Sequence, residues 1–158
     1  MAPHTRYSRA LGDREPIQAS REALARIQAH TGTWTPADFD RSHQPGKWTA
    51  RQTLVHLTHT ELTFGLRVRM ALTTPGYVVQ PFAQDDWMAH EPVAPGQEAL
   101  GTFASLAAMN LALYESLSSA ERATPITHPE DGAISVDWII HLSAGHLLHH
   151  AEQLERIR

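Results

Sequence analysis

Four stretches of the sequence repeat apolar residues with the period of an α-helix, and this repetition limits the fold more than any other feature. They span about residues 16–30, 49–72, 97–120 and 135–158, and TARQ at residues 49–52 matches a helix capping box. A short helical turn is expected at 85–89. No segment shows a convincing strand pattern. The sequence therefore predicts an all-α four-helix bundle, and its long connections at 31–48 and 73–96 predict crossovers.

Composition narrows the class of protein. The chain has 158 residues, of which 42% are hydrophobic, so we expect residues 1–158 to form a single domain. The net charge of -4 and the scattered Lys and Arg residues argue against a nucleic-acid partner. No apolar run is long enough to cross a bilayer, and the opening residues lack the apolar region of a signal peptide. The sequence thus predicts a cytoplasmic protein with no membrane partner.

Histidine is unusually frequent, with 11 residues, and three of them fall within five positions of the last helical segment. At about 100° per residue, His146 and His150 point into the apolar arc of that helix. His149 lies at the margin of the arc, and His141 points to the opposite side. Side chains four positions apart on a helix lie about 6 Å apart, so His146 and His150 can share one ion. Hydrogen bonding of the pair to polar neighbours, or a hydrated face, is the alternative.

The second helical segment offers a further candidate ligand. His56 lies in the middle of a polar stripe that also contains Thr53, Thr60, Thr63 and Arg67. Apolar residues flank this stripe on both sides, Leu62 and Leu66 among them. Such a pattern is typical of a helix that borders an internal cavity, since two apolar flanks leave little of the helix for solvent. His59 is the alternative ligand, but it lies nearer the aliphatic flank.

These positions predict a divalent metal site formed by His56, His146 and His150. Three neutral imidazoles leave most of the ion's charge in place and leave positions open for water or substrate, which is typical of catalytic sites. Zinc or nickel is the expected ion, although imidazole also suits copper and iron. Arg67, Thr60 and Thr63 are the expected substrate contacts, with a surface role as the alternative for Arg67. No catalytic residue is assigned.

The segments GKWTARQTLVHLTHTE, QDDWM, THPEDG and GHLLHHAEQLERIR, in this order, resemble the DinB-like superfamily of small metal-binding helical proteins. The resemblance covers nearly the whole chain. It implies a four-helix bundle with long crossovers, often dimeric, and so a homodimer here. The family's metal-binding histidines match His56, His146 and His150. This sequence departs from the pattern in carrying His59 where an acidic residue is common, and in the additional His149.

The resemblance also implies candidate activities. Members of the family include thiol-dependent transferases, which use bacillithiol or glutathione-like cofactors, and mycothiol-dependent maleylpyruvate isomerases. We therefore expect a metal-dependent enzyme that activates a low-molecular-weight thiol, such as bacillithiol, for transfer to an electrophilic small molecule. The chain contains no cysteine, so the thiol must come from a cofactor. A hydrolase that activates water and a non-catalytic metal-binding stress protein are the alternatives.

Overall fold

Four long helices form the bundle in the computed structural model, which describes residues 2–157. They are α2 (Pro16–Thr31), α3 (Ala50–Thr73), α5 (Gly96–Ser116) and α7 (Val136–Glu155). Shorter elements complete the chain: α1 (Ser8–Leu11), α4 (Gln84–His90), α6 (Ser119–Arg122), and the strands β1 (Pro125–His128) and β2 (Gly132–Ser135). The predicted four-helix bundle is confirmed, and α4 confirms the expected short helical turn. Arg158, which the fourth predicted helix includes, lies outside the described residues.

The packing of the long helices explains two of the three long connections. The third, which carries α4, joins α3 and α5, and these helices are neighbours, so the crossover expected at 73–96 was wrong. Helix α2 packs against α5 and α7, and α3 packs against the same two helices. The two pairs of helices joined by a crossover, α2 with α3 and α5 with α7, therefore occupy diagonal positions in the bundle. A connection between diagonal helices must pass over the end of the bundle, which a tight turn cannot do.

The predicted capping box of α3 and the predicted start of α7 are confirmed. At the start of α3, the Thr49 hydroxyl accepts from the Gln52 backbone N–H at 3.2 Å, and the Gln52 side chain accepts from the Thr49 N–H at 2.9 Å. At the start of α7, the Ser135 hydroxyl accepts from the Trp138 N–H at 3.2 Å. These caps satisfy donors that the first helical turn leaves free, and so they fix where each helix begins.

Two expectations between α5 and α7 were wrong. The third helix does not continue to residue 120, because Ser118 and Glu121 form a second capping box that starts α6. The segment also contains an antiparallel hairpin, in which His128 pairs with Gly132 and Pro125 pairs with Ser135. Strands of four residues are too short to show a clear alternation in the sequence. Residues 77–79 pair with Thr127 through backbone hydrogen bonds, so the hairpin is tied to the connection after α3.

The apolar core consists of two clusters of buried side chains. The larger contains Leu54, Leu57, Phe103 and Leu147, and the smaller contains Phe64, Val68, Ile139 and Ile140. Both draw on α3 and α7, so these two helices are held along their lengths. Within residues 2–157, no helix combines the length and the apolar character that crossing a bilayer requires.

Candidate metal centre

Helices α3 and α7 bring His56, His146 and His150 together inside the bundle. The Nε2 atom of His146 lies 3.0 Å from that of His56 and 3.0 Å from that of His150. All three side chains are buried, and one nitrogen from each lies within 4.8 Å of the others. The three residues that the helical angles selected in the sequence thus bring their ring nitrogens together. Their binding of a metal stays a prediction.

The electrostatic environment keeps these imidazoles neutral. Burial, followed by the charges of neighbouring histidines, lowers the pKa of His56 to about 4 and that of His150 to about 3. Burial, followed by the charges of the other histidines, also lowers the pKa of His146 well below its ordinary value. Neutral imidazole is the form that binds a metal ion. At neutral pH the three imidazoles are therefore in the protonation state that metal binding requires.

A hydrogen bond from the opposite side of the His150 ring favours ligation of an ion through its Nε2. The Nδ1 of His150 donates to the Gln153 side-chain oxygen at 2.8 Å, which leaves the Nε2 lone pair free. Among the described residues, the buried Nδ1 of His56 has no partner. Ligand nitrogens around a tetrahedral zinc ion lie about 3.3 Å apart, given bonds of about 2.0–2.1 Å. The 3.0 Å separations are close to this value, so the donor set fits a divalent ion after small side-chain shifts.

The other histidines occupy different positions. The Nε2 of His59 bonds the Glu91 carboxylate at 2.9 Å, and its ring contacts Trp87, so it ties α3 to α4. His149 is half-buried, and its Nε2 accepts from the Gln153 amide at 2.9 Å. His141, predicted to point to the side opposite the apolar arc, is buried, because α7 is covered all round over residues 139–148. Its Nδ1 donates to the Asp137 carbonyl at 2.9 Å.

A small pocket reaches His56 and His146 of the cluster. It has a volume of about 100 Å³, and its lining includes His56, His146, Thr60 and Arg67. Arg67 is buried with 6% exposure, so the surface alternative is wrong for this residue. The hydroxyl of Thr60 donates to the Leu57 carbonyl at 2.9 Å.

Thr63 takes a different place from the other two expected substrate contacts. Its hydroxyl donates to the His59 carbonyl at 2.8 Å, and the side chain is half-buried. The lining of the small pocket includes Thr60 and Arg67 but not Thr63. Arg67 and Thr60 line the pocket, and their contact with a substrate stays a prediction. Thr63 is not part of the pocket lining.

A second, wider pocket reaches the cluster at His150. It has a volume of about 270 Å³, and His150, Trp48, Lys47 and His43 line part of it. Gln84, at the start of α4, borders both pockets. The cluster therefore borders two pockets, one at His56 and His146 and the other at His150, and Gln84 is common to both.

Comparison with known proteins places the chain in a family. The model of the DinB superfamily matches residues 19–154, which contain all four long helices except the ends of α2 and α7. The chain belongs to the DinB superfamily. The matched range also contains His56, His146 and His150.

Three sequence relatives are bacterial proteins that share one provisional name. Relatives from Oceanobacillus iheyensis and Geobacillus kaustophilus are each 29% identical, and the matches cover 71% and 73% of this chain. They span 66% and 67% of those two proteins. A relative from Bacillus pumilus is 26% identical over 90% of this chain and 87% of its own length. All three carry the provisional name metal-dependent hydrolase.

Solved structures show the same DinB fold. YfiT from Bacillus subtilis, described as "a probable metal-dependent hydrolase with an unusual four-helix bundle topology", superposes with a TM-score of 0.80. It is 21% identical, and the match covers 90% of this chain and 83% of YfiT. The mycothiol-dependent maleylpyruvate isomerase superposes with a TM-score of 0.73 at 14% identity, over 88% of this chain and 59% of that protein.

One part of the sequence argument for the DinB site was wrong. The polar stripe of α3 does face the interior, but its apolar flanks are not both buried. Leu62 and Leu66 are 48% and 57% exposed, so α3 has a solvent-exposed side that consists partly of leucine. The cavity lies on the Phe64 side of the stripe, where α7 packs. The polar stripe of α3 therefore predicted the location of the cavity correctly, whereas its apolar flanks did not.

The sequence analysis missed pocket residues that lie outside the long helices. Tyr7 precedes α1 and packs its ring against His146, with the ring centres 5.1 Å apart. Gly145 permits this approach, because a Cβ there would lie 2.6 Å from the Tyr7 carbonyl oxygen. His128 and Trp138 line the same pocket from β1 and the start of α7. Tyr7 and His128 have no helical periodicity to reveal them, although His128 falls within the THPEDG segment.

Proposed function

We propose that this DinB-superfamily protein is a metal-dependent hydrolase of a small molecule, with His56, His146 and His150 as the ligands of one divalent ion. The observation that carries the proposal is the convergence of three buried, neutral imidazoles beside an open pocket. A divalent ion at this position supplies a Lewis acid and lowers the pKa of a water molecule. The names of the sequence relatives support the same class of reaction.

The protein's own residues hold the site in one arrangement. Gln153 accepts from His150 Nδ1 and so keeps the Nε2 lone pair directed at the other two histidines. Tyr7 and Trp48 pack against the rings of His146 and His56, with ring centres 5.1 and 4.8 Å apart, and limit access of bulk water. Arg67 and Thr60 are placed to contact a substrate in the small pocket. Zinc or nickel is the proposed ion.

Thiol transfer is the second candidate, and the two pockets favour it. A transferase must bind a thiol and an electrophile at the same time, and the pockets of about 100 and 270 Å³ offer two places beside one cluster. Lys47 and His43 in the wider pocket suit an acidic thiol such as bacillithiol. The chain has no cysteine, so it cannot supply the thiol itself.

Metal content and spectroscopy separate these candidates. The protein is loaded with cobalt, titrated with bacillithiol and glutathione, and assayed for conjugation and for ester or amide hydrolysis. A hydrolase shows metal-dependent hydrolysis and a spectrum unchanged by the thiols. A transferase shows a sulfur-to-metal charge-transfer band and conjugation. Stoichiometric metal with neither activity supports the non-catalytic alternative. The same assays are run on His56→Ala, which lacks one predicted ligand, and on the control variant His149→Ala, which keeps all three.

We further propose that the chain forms a homodimer in the cytoplasm. Leu62 and Leu66 are exposed one turn apart on α3, and Met109 is 53% exposed on α5, which packs beside α3. A second copy that covers this face would remove these side chains from water. Light scattering of the wild type and of a Leu62→Glu, Leu66→Glu variant tests the dimer: the variant should be monomeric. A monomeric wild type would contradict it.

A further inference from the structure

His128 presents an N–H group to the small pocket. It ends β1, is buried with 6% exposure, and lines the pocket together with His56, His146 and Arg67. Its Nδ1 accepts from two backbone N–H groups at 3.2 Å each, those of Glu130 and Asp131 in the hairpin turn. A neutral imidazole that accepts at Nδ1 carries its proton on Nε2.

The Asp131 carboxylate is the competing partner for the same nitrogen. One of its oxygens lies 3.3 Å from His128 Nδ1, and it also lies 3.8 Å from the guanidinium of Arg6. Two N–H groups directed at Nδ1 leave it no room to donate, so the contact with Asp131 does not set the tautomer. Burial and then the nearby Arg67 charge lower the pKa of His128, which keeps the ring neutral. Within residues 2–157, its Nε2 has no hydrogen-bond partner.

Arg67 brings a buried positive charge to the same pocket. One of its N–H groups donates to the Gln80 carbonyl at 2.8 Å. Within the described part of the chain, no carboxylate lies within 4.0 Å of its guanidinium. The charges of Glu130 and Asp131, which line the same pocket, favour the charged guanidinium, but neither carboxylate forms an ion pair with it. A guanidinium has five N–H donors, and a buried charge without an ion-pair partner is costly. Arg67 therefore keeps N–H donors for a ligand.

We propose that Arg67 and the Nε2–H of His128 form a subsite for the carboxylate of a small acid with an apolar body. Phe64, Phe82 and Trp138 line the same pocket and supply apolar walls, and the volume of about 100 Å³ restricts the ligand to a small molecule. The place of this subsite in a reaction rests on the proposed function. The binding of the acid does not, because Arg67 and His128 are separate from the three predicted metal ligands.

Benzoate is the probe, and the metal-free protein in excess chelator is the sample. Calorimetry should give saturable binding of benzoate that is at least tenfold tighter than the binding of benzamide, which has the same shape and no charge. Arg67→Gln and His128→Phe should each weaken benzoate binding at least tenfold. His128→Gln keeps an N–H donor and should retain more affinity than His128→Phe. Arg26→Gln, which removes an ion pair between α2 and Glu155 of α7 outside the pocket lining, is the matched control and should bind benzoate as the wild type does.

Nitrogen NMR of histidine-labelled protein supplies a second measurement. The His128 ring should be the Nε2–H tautomer, and its Nε2 resonance should shift on benzoate binding. Equal binding of benzoate and benzamide, wild-type affinity in the folded variants, or a proton on Nδ1 would each overturn the subsite. Metal binding and hydrolysis of uncharged esters could persist in that case. Conversely, benzoate binding without any metal uptake would support the subsite and contradict the proposed function.

Discussion

Two buried polar clusters lie between α3 and α7, and they differ in how their hydrogen-bonding groups are used. One is the histidine cluster of His56, His146 and His150. The other centres on Glu61, five residues further along α3, which is only 2% exposed. The Asn110 amide donates to one Glu61 oxygen at 2.8 Å, and the Ser143 hydroxyl donates to the other at 3.4 Å.

The Glu61 cluster satisfies itself, whereas the histidine cluster does not. Asn110 and Ser143 occupy both oxygens of Glu61, and Arg69 in turn donates to the Asn110 oxygen at 2.8 Å. In the histidine cluster, three Nε2 atoms converge, and the His150 proton is held on the other nitrogen by Gln153. Too few protons remain for the short nitrogen contacts to be ordinary hydrogen bonds. An ion satisfies all three nitrogens at once.

The comparison shows that burial and a shifted pKa do not by themselves identify a functional site. Burial raises the pKa of Glu61 to about 7, a shift of similar size to those of His56 and His150. A shifted pKa alone would identify both clusters as candidate functional sites. Only the histidine cluster combines the shift with unsatisfied atoms that converge beside a pocket.

The largest expected effect comes from removing a predicted ligand. The wild type should purify with close to one divalent ion per chain, and His56→Ala, His146→Ala and His150→Ala should each lose most of it. Structural zinc sites bind with about 10–16 kcal/mol, so loss of one ligand should weaken affinity by about a hundredfold or more. Elemental analysis measures the occupancy.

Two variants serve as controls for the ligand prediction. His149→Ala and Glu61→Gln should keep the ion, because neither side chain belongs to the converging group. Full metal occupancy in two of the three ligand variants would contradict the assignment of the metal site. Loss of the ion in His149→Ala, with retention in His150→Ala, would show that His149 and not His150 is the ligand.

Glu61 and the histidine cluster should contribute to the pH dependence of stability with opposite signs. The folded pKa of Glu61, about 7, exceeds the ordinary value of 4.5, so its contribution to stability should fall by about 3 kcal/mol as pH rises from about 4.5 to 7. The folded pKa values of His56 and His150 lie below 6.5, so without an ion their contribution should rise as pH rises to about 6.5. Urea unfolding at pH 5 and pH 8 with chelator present measures the net change in the free energy of unfolding, and comparison with Glu61→Gln isolates the Glu61 contribution.

Glu61→Gln should remove the Glu61 contribution, because the amide can donate to Ser143 and accept from Asn110 without ionising. From pH 5 to pH 8 its free energy of unfolding should therefore gain more, or lose less, than that of the wild type. Glu98→Gln, an exposed substitution on α5, should leave the wild-type pH dependence unchanged. Equal slopes in Glu61→Gln and the wild type would show that the Glu61 carboxyl does not hold the proton.

Removal of the ion should lower stability without unfolding the bundle. An ion present at a hundredfold its Kd adds about 2.7 kcal/mol to folding. The two apolar clusters do not depend on the ion, so the chelated chain should keep its helical circular dichroism while its melting temperature falls. A random-coil spectrum after chelation would contradict this expectation.

The smallest expected effect comes from the hydrogen bond behind the ligand. Gln153→Ala removes the acceptor for His150 Nδ1 and should weaken metal affinity by about 10- to 100-fold. Gln153→Glu keeps an acceptor and should restore the affinity. Glu152→Ala, its exposed neighbour on α7, is the control. Competition with a chromogenic chelator measures each affinity, and an unchanged value in Gln153→Ala would refute the role of this bond.

Helical periodicity predicted what lies on the long helices. It identified the bundle, and it turned His56, His146 and His150 towards one another, because residues on a regular helix have fixed directions. The capping box at Thr49 gave the start of α3 correctly. Buried Glu61 was missed, since nothing in the pattern of α3 tells that Asn110 and Ser143 will meet it.

The remaining pocket residues could not be predicted for a physical reason. Tyr7, Phe82 and His128 reach the pocket from irregular segments or a four-residue strand, where side-chain direction depends on tertiary contacts. The exposed Leu62 and Leu66 misled the analysis for the same reason, because apolar character does not fix burial.

The close approach of Tyr7 to Gly145 has a consequence for how the protein is handled. The indole N–H of Trp138 donates to the His4 carbonyl at 3.0 Å, so the segment from His4 to Tyr7 is held against α7 at two places. A purification tag fused at the amino terminus would precede this segment by only a few residues, and Tyr7 packs against the predicted ligand His146. A histidine tag there could supply imidazoles of its own, so metal stoichiometry should be determined with a carboxyl-terminal tag that is cleaved before the measurement.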